Sequence, residues 1–263
     1  MEKLNQRLET IKQSGRPGFM MHIVAGYPDL ESSTRIARQI LDSGADLLEI
    51  QIPFSDPVAD GPIIASSNET SLSNGMTVES SLSMIADIVD TTEKPILIMT
   101  YFNIIYHYGV EKFCKKAQAI GVQGLIVPDY PFDEESQNGL IHHSNEHQLA
   151  FIQLIAATTR PERMQEIVKH ASGFVYCMAR TGTTGPKTVI GSETIDYLQS
   201  VRQLCDLPLA VGFGLSEKSQ VEALSPHAEI MIVGSALIKE YAGKSNAEGL
   251  KAVKHFVEKL TSF

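Results

Sequence analysis

Apolar positions along the chain change period repeatedly, with short alternating or continuous runs separated by longer stretches at helical spacing. Leu4, Leu8 and Ile11 form a helical stripe over residues 2–13, closed by Gly15 and Pro17. Phe19 to Ala25 reads as strand one. Asp29 then caps a helix whose Ile36, Ala37, Ile40 and Leu41 share one face, stopped by Gly44. Strand two follows. A short extra helix is predicted over Ile63 to Leu72, and a longer one carries Val78, Leu82, Ile85 and Val89 inward. The alternation continues with strands over Pro95 to Tyr101, Gly124 to Val127, Ala150 to Ala156, Phe174 to Met178, Leu209 to Val211 and Ile230 to Val233. The helices between them fall over Val110 to Ile120, roughly 133–147, after a Thr159/Glu162 capping-box pair, from about Ser192, and after a Ser216 cap. The last helix starts at a second box, Ser245/Glu248. A short extra helix is expected between it and strand eight. Eight strand–helix units with short connections predict a parallel sheet closed into a (β/α)8 TIM barrel, in a single domain over 1–263, with an extra N-terminal helix.

Strand two is the stretch that packing alone does not explain. It runs Asp46-Leu-Leu-Glu49-Ile-Gln51-Ile and ends in a loop with Asp56 and Asp60 between Pro53, Pro57 and Pro62. Side chains alternate across a strand, so Leu48, Ile50 and Ile52 share one face and Leu47, Glu49 and Gln51 the other. A carboxylate on a buried strand face is paired, protonated or at work. The prolines fix φ and stiffen the loop. The bland alternative is a hydrogen-bonded Glu and an Asp/Pro turn.

Composition narrows the partners. The 263 residues carry 43% hydrophobic residues, ample for one barrel core, and a formal charge of −9, which disfavours nucleic acid and anionic membranes as bulk partners. Cys114, Cys177 and Cys205 are scattered, with neither a disulfide framework nor metal-ligand spacing, so a cytoplasmic location is expected. There is no signal-peptide pattern at the start, and no apolar run approaches the ~20 residues of a membrane span.

In this fold catalytic groups gather at the carboxyl ends of strands. Glu49, Asp60, Tyr101 and Asp129 fall there. So do the Gly/Thr-rich loop 179–191 and the glycine turns Gly212-Phe213-Gly214 and Gly234-Ser235. Glycines let backbone N–H groups approach an anion, and the loops after strands seven and eight are the usual phosphate site of such barrels. The alternative is a pair of tight turns. Loop 179–191 is long enough for a lid or a plain surface loop. Tyr101 and Tyr176 either line a cavity or fill the core. Asp129 and His22 read as structural, and His142, His143 and His147 as a solvated helix face rather than a metal site.

The string Leu-Glu49-Ile-Gln-Ile-Pro53-Phe-Ser-Asp56-Pro-Val-Ala-Asp60-Gly-Pro62 closely resembles the signature of the tryptophan synthase alpha subunit family, and the resemblance runs from about residue 19 to 241. It implies cofactor-free retro-aldol cleavage of indole-3-glycerol phosphate, with Glu49 and Asp60 as the catalytic pair. By the same resemblance Thr184 bonds Asp60 from a closing loop. Gly185, Phe213, Gly214, Gly234 and Ser235 then surround the glycerol phosphate. Glu49 is expected to move protons and Asp60 to stay ionised beside the indole N–H. The implied partner is a pyridoxal phosphate-dependent beta subunit in an α2β2 assembly. Several residues depart from the family pattern. Gln51 replaces a glycine, where its amide is placed to bond the Glu49 carboxyl or to narrow the cavity. Ala65, Ala179 and Thr183 replace Gln, Ser and Val, and His22 stands at an often aromatic position. Two further readings stay open. One is a stand-alone lyase or another phosphate-binding barrel such as a sugar-phosphate isomerase. The other is a catalytically weak subunit kept to activate a partner.

Overall fold

The structure is a computed structural model that describes residues 1–179, 190–212 and 214–263. In chain order the elements are α1 (Glu2–Ser14), β1 (Gly18–Val24), α2 (Leu30–Asp42), β2 (Leu47–Gln51), α3 (Pro62–Ser73), α4 (Val78–Val89) and β3 (Ile96–Met99). Next come α5 (Phe102–Tyr108), α6 (Val110–Ala119), β4 (Gly124–Ile126), α7 (Glu135–Asn138), α8 (Leu140–Glu146), β5 (Ala150–Ala156) and α9 (Pro161–Lys169). The chain ends with β6 (Val175–Met178), α10 (Ser192–Arg202), β7 (Leu209–Gly212), α11 (Lys218–Leu224), β8 (Ile230–Val233), α12 (Ser235–Tyr241) and α13 (Asn246–Thr261). Every strand pairs in parallel with its sequence neighbours, and β8 returns to β1, closing the barrel.

Alternation along the strands makes two cores. Outward residues such as Phe19, Met21, Ile23, Leu48 and Ile50 pack under the helices, and Met20, Leu47, Leu97, Ile126, Ile152 and Ile230 fill the barrel interior. The N-terminal helix belongs to the interior: Leu4, Leu8 and Ile11 of α1 join that cluster and stopper the barrel's lower end. At Gly18 a Cβ would lie 2.4 Å from Ile11 Cδ1, so the strand must be bare where the stopper enters. With that end stoppered, the barrel interior is approached from the carboxyl ends of the strands, where catalytic groups gather in this fold.

Local signals held unevenly. Asp29 caps α2, its carboxylate accepting from Ser32 N–H at 2.8 Å, and Ser245 and Glu248 form their box on α13. The Thr159/Glu162 box does not form, because the Thr159 hydroxyl accepts instead from Ala156 N–H at 3.1 Å and α9 starts at Pro161 without a side-chain cap. Glu217, not Ser216, precedes α11 as its cap, with Gln220 completing a box. The single helix expected over 133–147 is broken, since Gly139 takes a left-handed φ of 66° between α7 and α8. An additional short helix, α5, follows β3; Asp129, after the neighbouring β4, supplies its cap, accepting from Phe102 N–H at 2.8 Å. The extra helices after strands two and eight are α3 and α12. His142 and His143 both face Glu146 on an exposed surface, and no metal-binding cluster occurs among the described residues.

Candidate active site

Three carboxylates on or after β2 contrast sharply. Asp46, just before the strand, is 2% exposed and fully employed. It accepts two bonds from Arg16 at 2.8 and 2.9 Å and one from Phe19 N–H at 3.0 Å. That is how a structural buried acid is satisfied. Glu49, equally buried at 2%, is only half satisfied. Its Oε1 lies 3.3 Å from His22 Nδ1, and its Oε2 has no hydrogen-bond partner among the described residues. An unpartnered carboxylate oxygen on a residue that lines a cavity keeps hydrogen-bonding capacity for a ligand.

The register produces this pair. His22 on β1 is the Cα partner of Glu49 on β2, so both side chains point inward at one level. Burial works against the imidazolium, but the Glu49 charge, the hydrogen bond to it, the Asp60 charge and the Gln51 amide outweigh it and raise the His22 pKa above its ordinary 6.5. His22 is thus buried, as a structural histidine is expected to be, but its partner is the Glu49 carboxylate and it also lines the cavity. Asp60 reaches the same region from the loop. Its carboxylate Oδ2 accepts from Gln51 Nε2 at 2.7 Å and lies 3.4 Å from Asn68 Nδ2. Burial raises the Asp60 pKa, and the Gln51 hydrogen bond and the His22 charge pull against it. Burial thus works against the ionised form expected for Asp60, and the Gln51 bond and the His22 charge favour it. The expectation that Gln51 bonds Glu49 is corrected too: its amide points up the strand to Asp60 because the loop folds back over the end of β2.

Glu49, His22 and Asp60 line one cavity of about 440 Å³ at the carboxyl ends of the strands. That is within the usual size range of small-molecule sites. Met99, Ile126, Leu154 and Ile232 give it apolar walls, and Gly212, Gly214, Gly234 and Ser235 lie along it as well. Tyr176 also lines the cavity; burial, then the charges of Glu49 and Asp60, push its hydroxyl pKa well up, so it stays neutral. Gly212 makes room for it, since a Cβ there would stand 2.9 Å from the Tyr176 ring. Tyr101 does not reach the cavity surface. It is fully buried, stacks on Phe54 at 5.1 Å, and its hydroxyl accepts from Ala59 N–H at 3.1 Å, bracing the loop that carries Asp60. Thr184, Gly185 and Phe213, with the rest of the expected lid at 180–189, lie outside the described residues.

Asn68 was not anticipated. It is a buried amide inside α3, flanked by buried Ser67 and Ser71. A polar inward stripe on a helix was the available signal, because helices usually turn apolar residues to the core.

Two acids in unlike settings, one beside a histidine and one on a loop, meet over an apolar floor. Such a cleft at the carboxyl ends of a (β/α)8 barrel is where an enzyme of this fold has its active site, and known proteins specify which. The sequence profile of the family described as "Tryptophan synthase alpha chain" matches residues 8–262. The tryptophan synthase alpha chain of Trichormus variabilis is 40% identical over 262 residues, covering 99% of this chain and 97% of the relative. A structure of Mycobacterium tuberculosis tryptophan synthase superposes with a TM-score of 0.90 at 30% identity, covering 98% of this chain and 96% of that one. A structure of the tryptophan synthase complex from Pyrococcus furiosus gives 0.85 at 30% identity, covering 94% and 98%. The chain belongs to the tryptophan synthase alpha chain family, lyases that cleave indole-3-glycerol phosphate in tryptophan biosynthesis.

Proposed function

We propose that this chain performs the cleavage through Glu49 and Asp60, as one domain, in the cytoplasm, and in complex with a beta subunit. The observation that carries the assignment is the unpartnered Oε2 of Glu49, a residue that lines the same cavity as Asp60. Cleavage of the bond between indole C3 and the glycerol carbon needs a proton delivered to C3, which makes the indole a leaving group. It then needs the adjacent hydroxyl proton removed as the bond breaks and the aldehyde forms. In this reading Glu49 gives the first proton and takes the second, ending as it began, which is general acid–base catalysis by one group. Asp60 stabilises the positive charge that develops at the indole N–H. Two acids with different surroundings and different tasks recur in such sites. The apolar walls suit the indole ring. The backbone at Gly214, Gly234 and Ser235, joined by Gly185 and Phe213, takes the phosphate, with Thr184 closing on Asp60. Tyr176 lines the substrate side and Tyr101 acts from behind the loop. Three free, buried cysteines fit a reducing compartment.

The partner follows from chemistry and from relatives. Indole is small and apolar, so passing it directly to the next active site prevents its loss. The similar Pyrococcus furiosus structure is that of a tryptophan synthase complex. On this chain the loop that bears Asp60 exposes Asp56 and Val58, the latter 83% exposed at the cavity rim, and α5, after the neighbouring strand, exposes Tyr106. Contact there would move Asp60, a coupling typically worth about 1–3 kcal/mol in binding. A beta subunit is expected to raise turnover of indole-3-glycerol phosphate. Asp56→Ala should remove that activation with little change in the basal rate, as read in steady-state assays with and without partner. Intact activation in the variant would make Asp56 a turn residue only. A beta subunit that does not bind would favour the stand-alone lyase.

A further inference from the structure

We propose that Gln51 is a positioning residue that holds Asp60 in place in the unliganded, partner-free chain; the inference rests on the catalytic reading of Asp60 above. An acid on a loop ordinarily keeps freedom that must be lost before reaction. Here the hold comes from regular elements. Gln51 is the last residue of β2, fully buried, and donates through Nε2 to Asp60 Oδ2 at 2.7 Å. A hydrogen bond to an ionised acceptor is the stronger kind.

The donor is itself fixed. Gln51 Nε2 also reaches Asn68 Oδ1 at 3.2 Å, and Asn68 is clamped in α3 by its bond to Ile64 O at 2.8 Å. Asn68 Oδ1 in turn accepts from Phe54 N–H at 3.0 Å, tying down the start of the loop. Tyr101 secures Ala59 from the other side. Gln51 is not on the cavity wall, so it acts through Asp60 and not on the substrate. A buried amide is held by its hydrogen bonds rather than by packing alone, and this one also helps to raise the His22 pKa. With glycine's bare backbone at 51, Asn68 at 3.4 Å and the Tyr101 hydroxyl would be left to bond the Asp60 carboxylate among the described residues.

The titratable groups around Asp60 among the described residues are His22 on β1, Glu49 on β2, Tyr101 after β3 and Tyr176 on β6. The Gln51 bond lowers the Asp60 pKa, so its loss leaves Asp60 to protonate at higher pH. The test uses the isolated full chain with Gln51→Ala and with Gln51→Met, which keeps the side-chain length but lacks the donor. The kcat for indole-3-glycerol phosphate is expected to fall about tenfold in both, one hydrogen bond's worth of positioning, with KM within about twofold. The acid limb of the kcat profile should move to higher pH. Adding Asp60→Asn should cost much less in the Gln51→Ala background than in the wild type, because the two residues act as a unit. Wild-type kcat and an unmoved acid limb in both variants would overturn the inference and leave the reaction untouched. A wild-type chain that releases no indole would remove the catalytic reading and this inference with it.

Discussion

Glu49→Gln is expected to lower cleavage of indole-3-glycerol phosphate by at least about 10²-fold, within the range for loss of a positioned acid–base group. Glutamine keeps the size of the side chain and can still meet His22 Nδ1, now 3.3 Å from the carboxylate, so the packing of a residue only 2% exposed is preserved. What disappears is the ability to carry a proton. The measurement is kcat at saturating substrate, with circular dichroism to show that the barrel persists. His22 provides a second readout. Its raised pKa means that its charge contributes stability fully below about 6.5, the unfolded value, and that this is lost as pH rises through the folded pKa. The Glu49 charge is the main cause raising that pKa against burial, so in the variant this contribution should vanish and stability should change less over the same window. Near-normal turnover in Glu49→Gln would show that Glu49 is a structural partner of His22.

Asp60→Asn is expected to lower kcat by about 10²–10³-fold, the scale for removing one preorganised electrostatic contact to developing charge. The substitution retains an oxygen to accept from Gln51 Nε2, at 2.7 Å in the native chain, and removes only the negative charge. KM should change far less than kcat, because the interaction strengthens as the indole becomes positive. Steady-state kinetics on a variant with unchanged unfolding midpoint give the answer. An unchanged kcat would leave Asp60 as an anchor for the loop, held by Gln51 and Asn68 but idle in the chemistry.

The barrel was legible because each strand is short, apolar and followed by a helical stripe, and because Glu49 and Asp60 sit in a long, specific string. The features that escaped were set by distant neighbours. The cap of α5 comes from Asp129, 27 residues further on, so nothing near Phe102 announced a helix start. Thr159 had the right spacing to Glu162 for a capping box, but its hydroxyl went to Ala156 N–H, a competitor that spacing cannot reveal. The break at Gly139 was written in the sequence as a lone glycine, whose left-handed φ only the fold decides. The site divides in the same way. Alternation placed Gln51 on the face of Glu49, yet its target depends on how loop 53–61 folds back, and that brings Asp60 over it. His22 was read as a core residue because only the β1–β2 register sets it opposite Glu49.

The central claim is that one cavity, with Glu49 and Asp60 as its working acids, breaks the carbon–carbon bond of indole-3-glycerol phosphate. The most direct measurement incubates the purified chain with that substrate, without partner or added cofactor, and quantifies both products over time. Indole and glyceraldehyde 3-phosphate should appear in equal amounts, catalytically with respect to protein, and both should be lost together in Glu49→Gln and Asp60→Asn. Substrate returned intact by a folded wild-type chain, or products formed equally well by the two variants, would contradict the account.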